Sequence, residues 1–360
     1  MPTADQSGDQ DVLRQFPIFS DFSDTELDEI RFLVREIKHP KGKNLFLQGD
    51  LPDGMYLVIS GLISITARLP GDEVVELGRL GAGEVIGEVS LVDHSVRTAT
   101  AKVVESFKGY FLSQIHFSML QHDFRPSAFR AMNKITLILC VRIRGMIREI
   151  QEALPNGKKS GEGVIRFVPR KSKTSRPAEK ERKLELRLLK QLPFFRDFTN
   201  GEIDAFLKKA KRRDLKRGEK LYREGDKADR GYLVIRGALK TSISNGNHSE
   251  QLMVLGPSQL AGDVALMDGR PYAESCEVRE SSILLEISRE TFEAFRASRD
   301  SLSFKFFSAL NRAIVSKLRK SVRNTARLAT QGRISHGSRG GYRIPGNRNK
   351  QSLYQPDPVH

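Results

Sequence analysis

The sequence predicts a mainly β protein with flanking helices, organised as two tandem copies of one domain. Three observations lead to this prediction: an internal repeat, short β-rich runs between turn residues in each copy, and one long helical pattern after each β region. At 360 residues the chain is long enough for two domains and too long for a single hydrophobic core.

The repeat is visible in two separate blocks. The segment FPIFSDFSDTELDEI, which begins at Phe16, recurs as LPFFRDFTNGEIDAF, which begins at Leu192. Further along, FLQGD and YREGD place Gly49 and Gly225 at the same offset between the copies, and the offset shortens by one position only after the next shared motif, DGMYLVISG and DRGYLVIRG. Because the offset is nearly constant across the copies, a whole domain is duplicated.

Each copy has the same predicted order of helix, β region and helix. Short β-branched and aromatic runs between Gly, Pro, Asp and Asn are typical of antiparallel strands that close into a sandwich or barrel. A helix is predicted before each β region, over residues 24–34 and 200–211, and a longer one after it, over residues 127–154 and 299–328. In the first copy the predicted strands are residues 55–59, 62–67 and 106–112.

The positive charge is concentrated outside the two repeats. The formal net charge is +16, which requires that an acidic partner or surface be considered. Residues 156–183 carry ten Lys or Arg against three Glu, and residues 326–360 carry six Lys or Arg against one Asp. We expect domains over residues 13–154 and 185–325, a basic linker over 155–184, and disordered ends over 1–12 and 326–360.

Composition favours a soluble, cytoplasmic protein without a metal or an enzymatic activity. Cys140 and Cys276 lie in apolar segments, so we expect two buried thiols in a reducing compartment. No apolar run marks a secretory signal, and the longest run, residues 135–141, is far shorter than the roughly 20 residues that cross a bilayer. The histidines and cysteines have no metal-ligand spacing, and no P-loop, nucleophile elbow or catalytic carboxylate pair is present.

The stretch GEVSLVDHSVRTATA, which begins at Gly87, has the chemistry of a pocket for a cyclic phosphate. Gly87 and Glu88 open a predicted helical turn, whose unpaired backbone N–H groups favour an anion. Arg97 follows in the same stretch, and its planar guanidinium can hold two phosphate oxygens at once. The carboxylate of Glu88 can accept a hydrogen bond from a ribose 2′-OH, and its charge is expected to orient Arg97.

This stretch resembles the phosphate-binding cassette of the cyclic nucleotide-binding domain family, which includes catabolite-activator-like regulators and kinase regulatory subunits. The resemblance implies two tandem β-rolls of the double-stranded β-helix or jelly-roll type, each followed by a long helix that can move over the pocket. It also implies cAMP or cGMP as the ligand, without a preference between them. The implied ligand contacts are Gly87, Glu88, Val89, Arg97, Thr98 and Ala99.

The second cassette, GDVALMDGRPYAESC, departs from this pattern and is expected to be degenerate. Asp263 is one methylene shorter than Glu88, and the neutral phenol of Tyr272 replaces the arginine. Glu274 would repel a phosphate. Arg270 would be a substitute cation only if the loop were rebuilt. The residues that correspond to the first cassette are Gly262, Asp263, Tyr272 and Ala273.

The sequence predicts a non-enzymatic cyclic nucleotide sensor that signals to a protein effector or to its second repeat. The apolar face of helix 127–154 fits either packing on its own β-roll or a homodimer interface, and Arg142, Arg144 and Arg148 are expected to form a solvated stripe. One alternative is a ligand-free scaffold in which Arg97 and Glu88 form an internal ion pair. Another is an anionic-partner or nucleic-acid binder that uses the linker and tail, disfavoured because no aromatic interleaving or RNA-binding signature accompanies the basic stretch of residues 170–176.

Overall fold

The structure is a computed structural model, and it describes residues 12–68, 72, 74–93, 95–122, 125–155, 187–298 and 300–330. The chain divides into two compact units. The predictions for the N-terminal segment, the basic linker and the tail lie outside the described residues.

The first unit is a six-stranded antiparallel sheet with flanking helices. Its strand order is β1-β6-β3-β4, with β2 paired to β6 and β5 paired to β3. The strands are β1 Val34–His39, β2 Asn44–Phe46, β3 Gly54–Arg68, β4 Val74–Leu80, β5 Val85–Ile86 and β6 Thr100–Ser113. The helices are α1 Asp24–Arg31, α2 Glu88–Asp93, α3 Gln114–His122 and the first part of α4 Pro126–Ala153, whose residues from Met146 onward fall in the second unit.

The second unit repeats this arrangement element by element. Its strand order is β10-β9-β12-β7, with β11 paired to β9 and β8 paired to β12, so that each strand has the same neighbours as its counterpart. The strands are β7 Lys211–Leu215, β8 Lys220–Tyr222, β9 Arg230–Asn245, β10 His248–Leu255, β11 Leu260–Ala261 and β12 Ser275–Ser288. The helices are α5 Asn200–Lys209, α6 Asp263–Asp268, α7 Arg289–Ser298 and α8 Ser301–Thr330, after a 3-10 turn, Pro193–Phe195. The predicted duplication and mainly β class are confirmed.

The runs predicted as separate strands at residues 55–59 and 62–67 form one continuous strand, β3. The register against β6 shifts between Ser60 and Leu62 without ending the strand. Gly61 lies between them at φ +105°, and a Cβ there would come within 2.5 Å of the Ser106 carbonyl oxygen. Glycine at this position therefore lets the strand continue past a close approach of β6, where the sequence predicted a turn.

The helix that precedes each β region begins at a capping box. Ser23 and Glu26 exchange hydrogen bonds at the start of α1, and Thr199 and Glu202 do so at the start of α5. Glu202 also accepts a hydrogen bond of 2.7 Å from Lys305 Nζ on α8. Burial raises the pKa of Glu202, but the hydrogen bonds from Lys305 and the capping threonine outweigh burial and lower this pKa to about 2.

The long helix α4 buries its apolar face inside a single chain. Cys140 on this helix and Cys276 on β12 are both buried and free, as predicted. Among the described residues, no helix is both long enough and apolar enough to cross a membrane. The buried apolar side chains of α4 are Phe129, Met132, Ile135, Ile138, Leu139, Ile143, Met146, Ile147 and Ile150.

Candidate functional site

Gly87 connects strand β5 to helix α2 in a conformation that favours glycine. Its φ is +85°, in the left-handed region. A Cβ at this position would lie 2.5 Å from Arg97 Nη1 and 3.2 Å from the Gly54 carbonyl oxygen. Gly87 is therefore required both by its backbone angles and by the close approach of the arginine.

Arg97 is the central charged group of the first site, with only 1% of its side chain exposed. Its Nη1 donates to the Gly87 carbonyl at 2.9 Å, and its Nη2 donates to Asp53 Oδ1 and to the Gly54 carbonyl, both at 2.5 Å. The guanidinium also lies over the Phe46 ring, 4.1 Å from its centroid. Among the described residues, its Nε–H has no hydrogen-bond partner. The chain thus holds a permanent cation inside the roll, and the Nε–H is unused among the described residues.

Glu88 does not orient Arg97, and the expectation that it does is wrong. Its Oε1 accepts a hydrogen bond from Arg142 Nη1 on α4, and the side chains of Glu88 and Arg142 are 2% and 4% exposed. The prediction that Arg142 belongs to a solvated stripe is also wrong, because Arg142 is buried. Arg148 is exposed. The physical reason is that a buried carboxylate needs a countercharge, and Arg97 is already engaged by Asp53 and two carbonyls.

The other predicted contacts of the first cassette lie beside these groups. Val89 on α2 and Ala99 just before β6 are buried, and Thr98 is half-buried. Ala99 belongs to the apolar cluster of the roll, together with Tyr56 and Phe111. The structure thus brings the cassette residues to one part of the roll, while Glu88 and Arg97 have different partners.

In the second site, Tyr272 takes the position of the arginine. Gly262 again has a left-handed φ, of +77°. The Tyr272 hydroxyl donates to the Arg230 carbonyl at 2.6 Å, and the Tyr272 ring stacks on Tyr222 with a centroid distance of 3.8 Å and an interplanar angle of 11°. Burial raises the pKa of Tyr272 to about 12, so the hydroxyl is neutral. The second site therefore has no cation at this position.

The contacts of Tyr272 reproduce those of Arg97. When the two copies are aligned on their shared motifs, the Arg230 carbonyl corresponds to that of Gly54, and Tyr222 corresponds to Phe46. Tyrosine thus keeps the carbonyl hydrogen bond and the aromatic contact while it loses the charge. The substitution is visible in the aligned repeats, and the structure shows that the side chain fills the same space.

A second buried ion pair corresponds to Glu88 with Arg142. Lys317 on α8 aligns with Arg142 at the same offset that relates the two cassettes, and its Nζ donates to Asp263 Oδ1. Lys317 Nζ also lies 3.7 Å from Glu274 Oε1, and Glu274 is buried. Arg270, the alternative cation considered from the sequence, is exposed.

Sequence reasoning did not identify Arg142, Lys317, Asp53, Phe46 and Tyr222 as site residues, and a signal existed for Arg142 and Lys317. Arg142 and Lys317 are cations at equivalent positions of two apolar helix patterns, so aligning the long helices would have marked them. Asp53 and Phe46 lie far before the cassette, and their approach to Arg97 depends on how β2 and β3 pair with β6. Among the described residues, no group of three or more His, Cys, Asp or Glu is placed to hold a metal ion.

The fold and both cassettes define a pair of tandem cyclic nucleotide-binding domains. The sequence model of the family described as "Cyclic nucleotide-binding domain" matches residues 36–123 and 212–299. The chain therefore belongs to the cyclic nucleotide-binding domain family, as the resemblance of the cassette predicted.

Known relatives include both transcription regulators and kinase subunits. The chain is 37% identical over 89 residues to "Cyclic AMP receptor protein" of Thermus thermophilus, a match that covers 25% of this chain and 41% of the relative. It is 29% identical over 92 residues to "cAMP-dependent protein kinase type II regulatory subunit" of Drosophila melanogaster, which covers 25% of this chain and 24% of the relative. The chain thus spans less than half the length of these curated relatives.

Among solved structures, the chain is similar to the regulatory domain of Toxoplasma gondii PKA, crystallised with cAMP. The sequence identity is 17%, the TM-score is 0.32, and the match covers 83% of this chain and 95% of that chain.

Proposed function

We propose that this chain is a non-enzymatic regulatory protein whose first domain binds a cyclic nucleotide, cAMP or cGMP. The observation that carries the proposal is the buried guanidinium of Arg97, held against Gly87 inside the roll. The second domain, with Tyr272 at the equivalent position, binds no cyclic nucleotide in this proposal. The relatives support the class of ligand, since two of them are named for cyclic AMP.

Arg97 is the phosphate-binding residue of the proposed site. Its bonds to Asp53 and to two carbonyls fix the guanidinium plane, and the side chain of Asp53 is 56% exposed, so water screens that carboxylate. The Nε–H, without a partner among the described residues, is a donor for a phosphate oxygen. A cyclic phosphodiester is a permanent anion near neutral pH, which suits a permanent cation.

Glu88 is the ribose-binding residue and provides a route for signal transmission. A ribose 2′-OH would donate to its carboxylate, which already accepts from Arg142 on α4. Because one carboxylate serves both the ligand and the helix, occupation of the pocket changes the electrostatic environment of Arg142. Helix α4 is therefore the element through which the first domain signals to a protein effector or to the second domain.

Both cAMP and cGMP are expected to bind. Thr98 is half-buried next to Arg97, where a hydroxyl can contribute to recognition of the base. The role of this hydroxyl is tested by the ratio of the cAMP and cGMP affinities in Thr98→Ala. An unchanged ratio would remove Thr98 from the account of specificity.

Calorimetric titration of the full chain with cAMP and with cGMP tests the proposal. Arg97→Ala should weaken binding by about 3 kcal/mol, or ~100-fold, because the phosphate loses its charged donor. The matched control is Arg68→Ala, which removes an exposed arginine at the end of β3 in the same domain. Full affinity in Arg97→Ala would refute the phosphate role, and no binding of either nucleotide by the unaltered chain would favour the ligand-free scaffold.

A further inference from the structure

The position that corresponds to Ala99 of the first cassette carries a carboxylate in the second. Glu274 aligns with Ala99 at the offset that relates Arg97 to Tyr272, and it lies directly before β12 with only 6% of it exposed. Its Oε1 is 3.7 Å from Lys317 Nζ, which also donates to Asp263. A small residue beside the expected phosphate position has therefore been replaced by a buried anion with a cationic partner.

The second site is closed by side chains of its own domain. Tyr272 stacks on Tyr222, and Gly262 is so close to the Tyr272 ring that a Cβ there would lie 3.0 Å from it. Burial and the neighbouring Cys276, Glu274 and other acidic groups raise the pKa of Tyr222 well above its ordinary value, so its hydroxyl is neutral. The space beside Gly262 thus holds aromatic rings and an ion pair.

Lys317 remains charged in this cluster. Burial lowers its pKa, but the charges of Asp263 and Glu274 outweigh burial and raise it. Because Lys317 lies on α8 and both carboxylates lie on the roll side, at α6 and directly before β12, the pairs join the long helix to the roll.

The charge of the second site is also wrong for a cyclic phosphate. Relative to the first site, it loses the cation of Arg97 through Tyr272 and gains the anion of Glu274 in place of Ala99. The acidic and basic residues of the buried ion pair are otherwise matched between the two sites. At these two aligned positions taken together, the second site is more negative by two charges when Glu274 is ionised.

We infer that the second domain is occupied by its own side chains, with the Glu274 carboxylate in the place of a ligand anion and Lys317 holding α8 on the roll without any ligand. The packing of α8 on its own roll is then the same with and without nucleotide, and a nucleotide-dependent movement of a long helix against its roll is possible only in the first domain. The pairing of α8 with its roll does not depend on whether the first domain binds a cyclic nucleotide.

Hydrogen exchange of α8 in the full chain tests the inference. In the unaltered chain, exchange over residues 311–323 should be slow and unaffected by cAMP. Glu274→Ala should raise exchange there on the order of tenfold, because Lys317 loses one of its two carboxylates. The control Glu280→Ala, which removes an exposed glutamate of the neighbouring strand β12, should leave exchange unchanged. Glu274→Gln keeps the side-chain size and should also raise exchange, which covers the case that the alanine variant does not fold.

A second arm asks whether a real ligand can replace Glu274. In an Arg97→Ala background, which disables the first site, Tyr272→Arg with Glu274→Ala gives the second cassette the residues of the first at these two positions. Added cAMP should then slow the exchange of α8 again. Unchanged exchange in both Glu274 variants would overturn the inference, as would a response of the unaltered α8 to cAMP. Failure of cAMP to restore protection would show that Glu274 is an ordinary buried ion-pair member.

Discussion

The ion pair between Glu88 and Arg142 gives the sharpest prediction for the stability of the first domain. Arg142→Met keeps most of the side-chain length and removes the charge. The carboxylate of Glu88, 2% exposed, would then lie in the interior without its arginine. Removal of one member of a buried pair costs about 3–5 kcal/mol, since the remaining charge has lost both its hydration and its partner. Total stabilities of about 5–15 kcal/mol make this a large loss.

Urea unfolding of the full chain, with hydrogen exchange to assign the transition of the first domain, measures this effect. Arg148→Met is the matched control, because Arg148 is an exposed arginine on the same helix. Surface changes of this kind usually alter stability by less than about 0.5 kcal/mol. Arg142→Lys places the residue of the second domain at this position and should cost less than Arg142→Met, because the charge is kept.

A double variant separates the ion pair from general packing. Glu88→Gln combined with Arg142→Met should be more stable than Arg142→Met alone, because the buried charge is gone. The reasoning is refuted if Arg142→Met and Arg148→Met have the same stability within about 1 kcal/mol. It is equally refuted if Glu88→Gln gives no recovery.

Three further predictions test other parts of the two sites. Gly87→Ala should reduce nucleotide affinity at least ~10-fold in calorimetry, because the added Cβ would lie 2.5 Å from Arg97 Nη1. The control Gly83→Ala, at φ +83° with no atom within 4 Å of an added Cβ, should lower the free energy of unfolding by about 1–2 kcal/mol in thermal unfolding and leave the affinity unchanged. Tyr272→Phe should destabilise the second domain by about 1 kcal/mol through loss of a backbone hydrogen bond, with no change in the number of nucleotides bound, and a changed number would contradict the assignment. The pKa of Glu202 in the folded chain is about 2 against an ordinary value of 4.5, so its contribution to the free energy of unfolding is present above pH 4.5 and is lost as the pH falls toward 2. In unfolding measurements between pH 5 and 3, Glu202→Gln should therefore lose less stability than the unaltered chain, and Glu290→Gln, at an exposed position, should follow the unaltered chain.

Much of the fold could be predicted from the sequence because the two copies of the domain can be aligned with each other. The repeat fixed the number of domains, and the spacing of Gly87 and Arg97 identified a site whose two residues are close along the chain. Gly87 and Arg97 are brought into contact by the turn from β5 into α2 and by the return of the chain toward β6. The replacement by Tyr272 was visible for the same reason.

The ion-pair partners could not be predicted, since they come from distant segments. Asp53 precedes Arg97 by 44 positions and Arg142 follows Glu88 by 54, so their contacts depend on strand pairing and on where α4 packs. Arg142 also looks like one of several basic residues on an amphipathic helix. Only the rotation of that helix against the roll decides which arginine is buried.

The central claim is that one domain binds a cyclic nucleotide and the other does not, because of the residue at a single aligned position. The number of cAMP molecules bound per full chain, measured by calorimetry, tests it most directly. The unaltered chain should bind one, and Arg97→Tyr, which gives the first domain the residue of the second, should bind none. Two molecules bound by the unaltered chain, or one retained by Arg97→Tyr, would contradict the claim.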